Sequence, residues 1–231
     1  MLLSAQEWGV VALSAKVSAV AILGVLPMAF ALAWVLARGR FRGRLLLDGI
    51  VHLPLVLPPV VIGWLLLVAF APGGPVGGWL WRTLGVTLLF RWTGAALAAA
   101  IMALPLMVRA IRLSLEAVDP RLEEAARTLG AGPWATFRRV TLPLCAPGVL
   151  AGAVLGFARS LGEFGATITF VSNIPGETQT LPLAIYAALQ VPGGEATVWR
   201  LALVAVVLSL LALLASEALA RRQGGKRAHV L

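Results

Sequence analysis

Arg159 and Glu163 stand one helical turn apart inside a stretch that is otherwise small and apolar, "GVLAGAVLGFARSLGEFGATITFV" over 148–171. A charge in such a segment is expensive, so it faces a partner or an aqueous path. Two chemistries follow. The i,i+4 pair can neutralise itself and serve only the structure. Alternatively, Arg159 can offer its guanidinium to something that moves past it. Gly148, Gly152, Gly156 and Ser160 recur at four-residue spacing on the same stretch, which puts them on one helix face. Such a face lets two backbones come close, either within the chain or at a seam against a second chain or a pore.

Other chemistries lack their parts. Cys145 is the single cysteine, which leaves no intrachain disulfide and no cysteine-based metal site. His52 and His229 form no ligand motif. No nucleophile–base pair stands out. No Gly-x-x-x-x-Gly-Lys-[Ser/Thr] loop is present, and "GGKR" at 224–227 lacks both the first glycine and the hydroxyl residue. ATP hydrolysis by that route is therefore excluded for this chain.

The elements that must position these residues are set by composition. The chain has 231 residues, of which 60% are hydrophobic and only 13% charged, and its mean hydropathy is +0.92. Soluble domains are about half apolar and about a quarter charged. The composition is that of an all-α polytopic membrane protein. The net charge of +9 does not point to nucleic acid, because the basic residues cluster between apolar stretches as topology signals. A helix needs about 20 apolar residues to cross the hydrocarbon. Five stretches meet this, at 10–37, 47–70, 93–116, 146–171 and 197–220, and no alternating barrel pattern appears. The first begins behind Glu7 without a basic leader, so it reads as a retained span rather than a signal peptide. The stretch 181–191 is too short to span and reads as re-entrant or interfacial, with a sixth crossing over 172–196 left open.

Orientation follows from the loops. Arg38, Arg40, Arg42 and Arg44 follow the first span. Arg109, Arg112, Arg121, Arg127, Arg138 and Arg139 surround the loop after the third. Arg221, Arg222, Lys226 and Arg227 follow the fifth. With five spans all of these share one side, and only Arg82, Arg91 and Arg200 face the other. The N-terminus is therefore predicted outside and the C-terminus in the cytoplasm. Pro27, Pro54 with Pro58 and Pro59, Pro105 and Pro147 fall in four of the five spans, where each removes a backbone hydrogen bond and is expected to bend or break its helix. The run "HLPLVLPPVVIG" (52–63) suits a pathway or gate. Lys16 is expected to snorkel, and Trp8, Trp79, Trp81, Trp92 and Trp199 to form an interfacial belt.

One polar segment remains, "VDPRLEEAARTLGAGPWATFRRVTLPL" (118–144). Asp119 is a good N-cap, Pro120 suits the first helical position, and Glu123 and Glu124 favour the first turn. Gly130 can end that helix in the left-handed conformation. Gly132 and Pro133 restart a second short helix through Arg139, and "TLPL" leads back into the membrane. The product is a rigid cytoplasmic helical hairpin whose small residues admit a partner protein and on which Glu124 offers a fixed charge.

The order Glu124-Ala125-Ala126, Gly130, Val140-x-Leu142-Pro143 resembles the EAA loop of ABC importer permeases. "HLPLVLPPVVIGWLLL", "MVRAIRLSLEAVD", "EAARTLGAGPW" and "FARSLGEFGATITFVSNIPGETQTLPLAIY" resemble the molybdate ABC-transporter permeases over nearly the whole chain. "RSLGEFGATI" is also similar to sulfate permeases. The resemblance implies a type I ABC importer permease in the bacterial cytoplasmic membrane, present as two copies in contact with membrane lipid. It implies cytoplasmic ATPase subunits that use ATP and magnesium, with no cofactor in this chain. It also implies a periplasmic binding protein delivering molybdate or tungstate. Glu124, Ala125, Ala126, Gly130, Leu142 and Pro143 would then couple to the ATPase. A tetrahedral dianion favours Arg or backbone N–H donors. The candidates for a pathway or pore seam are accordingly Arg159, Ser160, Glu163, Pro58, Pro59, Gly152 and Gly156. A sulfate permease is the rival within the class. A secondary transporter would need internal repeats and a midplane ion site, of which Glu163 is the only acidic trace. A membrane-embedded enzyme would need the reactive groups excluded above.

Overall fold

The computed structural model describes residues 3–227, with side chains through 215 and at 217 and 218. His229 and the side chains of the C-terminal basic run lie outside the described residues.

Buried in lipid, a backbone must satisfy its own hydrogen bonds, and the described chain does so with helices. Helix α1 (Ala5–Arg38) opens on a capping box in which Ser4 and Glu7 satisfy each other's backbone N–H. It runs unbroken through Pro27. Helices α2 (Arg44–Val56) and α3 (Pro59–Phe70) form a pair bent by 109° at Leu57 and Pro58. A short α4 (Gly77–Leu84), which holds Trp79 and Trp81, precedes α5 (Trp92–Glu116), and α5 also runs through its proline, Pro105. The hairpin helices α6 (Pro120–Thr128) and α7 (Pro133–Thr136) come next. One π turn, Phe137–Thr141, joins α7 to α8 (Leu142–Leu161). Short helices α9 (Gly165–Val171) and α10 (Leu181–Leu189) precede the long α11 (Glu195–Arg227).

Two expectations change. The predicted span 146–171 is two helices, because the chain breaks over 162–164 and restarts at Gly165. The second hairpin helix does not stop at Arg139. It passes through the π turn into α8 as one rod over 133–161. Among the described residues four helices are long and apolar enough to cross a membrane, or five with the α2–α3 pair counted as one span. No sixth crossing forms over 172–196, where α10 is nine residues long.

Polar contacts mark the two ends of the bundle. At one end Arg200 grips Glu7 at 2.7 Å, and the Trp92 N–H donates to Glu177. Just below, the Leu181 N–H donates to Ser14, and the Lys16 ammonium lies 3.7 Å from the Trp92 ring centroid. At the other end Arg38 pairs with Glu123, and Arg112 bridges Asp48 and Glu116. Helix α1 runs from the first end to the second, α2 leaves the second, α5 leaves the first, α8 leaves the second and α11 leaves the first.

Helix α5 is the hub. Its alanines Ala95, Ala98, Ala99 and Ala103 are buried, and the helix packs against both α1 and α8. Lipid tails are as apolar as leucine, so close van der Waals packing between small residues holds such helices together. Helix α11 instead leaves Leu203, Val206, Leu210, Leu211, Leu213 and Leu214 exposed.

Candidate functional site

The hairpin at the Arg38 end is built by local rules. Asp119 accepts the Arg121 N–H at 2.9 Å and starts α6. At its end Ala131 N–H reaches the Ala126 carbonyl and Gly130 N–H the Arg127 carbonyl, a Schellman closure. Gly130 sits at φ 86°, the left-handed region. Helix α6 has no buried residue. Glu124 and Ala125 are exposed and Ala126 is half-buried. Glu124 points outward, and Leu129 and Trp134 project apolar surface with 88% and 71% of their area open. Leu142 and Pro143 are exposed at the base of α8. The outcome is an exposed knob with an apolar tip and one outward carboxylate.

What holds the knob was not legible in the sequence. Glu123 turns inward, where Arg38 donates to both its carboxylate oxygens, at 2.8 and 3.2 Å. The buried Thr141 hydroxyl donates to the same carboxylate at 2.7 Å. Beside it Phe137 packs edge-on to Trp34 at 5.2 Å and stacks on Trp134 at 5.4 Å. Arg38 and Glu123 are 85 residues apart in the chain, a spacing that carries no local signal.

The other candidates fall on the bundle itself, where the structure divides them. Gly148, Gly152 and Gly156 face their own chain. A Cβ on Gly148 would strike Ser114, one on Gly152 would press Ala110 and Ile111 at 3.4 Å, and one on Gly156 would meet Met107 at 2.8 Å. Ser160 donates to Ser18 of α1 at 3.0 Å. This face is taken up by α5 and α1, so Gly152, Gly156 and Ser160 pack within the chain rather than line a seam.

Arg159, Glu163, Pro58 and Pro59 gather elsewhere, at two helix breaks. The Arg159 guanidinium lies 2.9 Å from the Glu163 carboxylate. The other carboxylate oxygen accepts the Ala166 N–H at 2.9 Å in the first turn of α9. Glu163 is buried, with 3% of its area open. Arg159 is half-buried and Pro58 exposed. Two glycines that sequence reasoning did not single out bring the breaks together. A Cβ on Gly165 would come 2.8 Å from Pro59, and one on Gly63 would come 2.6 Å from the Ala166 carbonyl. The Phe164 ring lies 5.2 Å from Tyr186 of α10. Two interrupted helices thus meet beside a cation, and irregular backbone at membrane depth persists only where protein or a water-lined path covers it. Such an arrangement can steer an anion with the Arg159 guanidinium.

Comparison with known proteins agrees with this architecture. Residues 26–225 match the family described as binding-protein-dependent transport system inner membrane component. The chain is 58% identical over 221 residues to the molybdenum transport system permease protein ModB of Escherichia coli K12, covering 96% of both chains. It is 57% identical over 220 residues to the Haemophilus influenzae protein of the same name, covering 95% of this chain and 96% of that one. Among solved structures, a bacterial alginate ABC transporter bound to its periplasmic protein matches with a TM-score of 0.73 at 21% identity, covering 95% of this chain and 80% of that one.

Proposed function

This chain belongs to the family of binding-protein-dependent transport inner membrane components, and from that premise we propose that it is the membrane-spanning subunit of an ATP-driven importer of molybdate. It is a multi-pass protein of the inner membrane and a permease. The near-full-length likeness to the molybdenum permeases carries the reading. The exposed hairpin supports it, because a knob with an apolar tip and an unburied α6 is what a docking ATPase needs.

Two copies of the chain enclose the path, and two cytoplasmic ATPase subunits dock on the hairpins through Glu124, Ala125, Ala126, Leu129 and Trp134. ATP and magnesium are handled by those subunits. A periplasmic binding protein delivers the anion at the Glu7–Arg200 end, which places the N-terminus outside and the C-terminus in the cytoplasm. The anion passes the paired breaks, where Arg159 supplies positive charge. The reading is tested by reconstituting the chain with its ATPase and binding protein in proteoliposomes. ATP-dependent molybdate uptake is expected, with tungstate competing and sulfate competing weakly. Uptake driven by an ion gradient without ATP would overturn it, and preferential sulfate uptake would reassign the substrate.

A further inference from the structure

We propose that Glu123 is a positioning residue for coupling, the joint that makes the hairpin, α1 and α8 move as one body. This rests on the importer reading above. Helix α6 buries no residue of its own, so its attachment to the bundle depends on what its side chains hold. Glu123 holds two elements at once, α1 through Arg38 and the base of α8 through Thr141. Its side chain is 13% open and that of Arg38 28% open, so the pair is shielded from most of the solvent.

The geometry is a fork. Two parallel N–H donors on two carboxylate oxygens fix orientation as well as distance, which a single contact does not. A push on the exposed Leu129 and Trp134 tip therefore reaches the last turn of α1 without slack. Among the described residues the buried Arg38 Nε has no hydrogen-bond partner, and Glu123 is the carboxylate that pairs with that guanidinium. Helix α1 then carries the displacement to a second clamp at its far end, where Glu7 holds Arg200 at the start of α11. The outward Glu124 belongs to the docking surface, and its neighbour Glu123 belongs to the transmission.

The test uses the full complex with its ATPase and binding protein in proteoliposomes, and reads radiolabelled molybdate imported per ATP hydrolysed. Glu123→Gln keeps the shape and removes the charge. It is expected to lower that ratio by about fivefold or more, the lower end of coupling between sites. Membrane abundance and co-purifying ATPase should stay as in the unaltered complex. The exchanged pair Arg38→Glu with Glu123→Arg should recover the ratio. An unchanged ratio in Glu123→Gln overturns the inference, whether abundance holds or falls, because a purely structural residue changes only the amount of complex. A low ratio that the exchanged pair does not recover removes Arg38 from the joint and overturns it as stated. If the unaltered complex imports no molybdate, the importer reading fails and takes this inference with it. Import by the unaltered complex beside an unchanged variant ratio sinks the inference alone.

Discussion

Pro59 and Gly165 touch: a Cβ built on the glycine would lie 2.8 Å from the proline Cβ. The break that ends α2 and the break that begins α9 are therefore one joint, with Gly63 on Ala166 a turn further along. Neither helix of the joint can carry a larger residue at its contact glycine without separating from the other.

Gly63→Ala should weaken that joint. The new methyl would meet the Ala166 carbonyl, a backbone atom with no rotamer to give, and overpacking of this kind costs about 1–3 kcal/mol. Gly49→Ala is the control, since a Cβ there meets nothing within 4 Å. In a mid-helix position it should be neutral or stabilising by roughly 0.5–1 kcal/mol. Thermal unfolding of the purified complex decides the matter, and equal midpoints for the two variants would dismiss the close α3–α9 contact.

Arg159 and Glu163 call for a paired substitution. Arg159→Ala strands a buried carboxylate, a loss of about 3–5 kcal/mol, so lost uptake alone says little about the path. Arg159→Leu with Glu163→Leu removes both charges together. That variant should assemble, bind its ATPase and fail in molybdate uptake, with Arg159→Lys intermediate because it keeps the charge without the planar fork. Full uptake by the double variant would take Arg159 off the path and leave a structural pair.

Gly130→Val should impair coupling. The residue sits at φ 86° with open space around it, so strain comes from the backbone and not from a clash. Such strain is worth about 1–3 kcal/mol, enough to reshape the turn while the membrane helices persist. Reduced uptake with normal membrane abundance is the expected result, and unchanged uptake would argue against the hairpin as the docking element.

Orientation is open to reporter fusions. A reporter after Leu144 should read cytoplasmic and one at Asn173 periplasmic, because the contacts of Arg38 with Glu123 and of Trp92 with Glu177 mark opposite ends of the bundle. A cytoplasmic signal at 173 would reverse the assignment.

The hairpin was readable in the sequence because its parts are local: Asp119, Pro120, Gly130 and Pro133 each act on their own turn. The breaks were read less well. Pro27, Pro105 and Pro147 are expected to bend or break their helices, and none of the three breaks its helix. A lone proline loses one hydrogen bond, and apolar surroundings offer the remaining backbone nothing better than the helix. Pro58 and Pro59 in succession do break the chain. The break over 162–164 contains no proline and was hidden in an apolar run. Glu163 accepts the Ala166 N–H three residues on, a local cap that the apolar composition of the run masked. The glycine face of α8 was seen, but its neighbour was not, since spacing shows that a backbone is close without showing which one.

The π turn over Phe137–Thr141 also fixes an angular phase. It holds one residue more than an α-helical turn would, and each residue of an α-helix rotates the chain by about 100°. Deleting a residue there would leave the glycine face of α8 seated on α5 but turn the hairpin about the rod axis. It would re-aim Leu129 and Trp134 and draw Glu123 off Arg38 and Thr141. The bearing of the docking tip is thus set twice, by a single-residue register inside the rod and by the fork that pins the hairpin to α1.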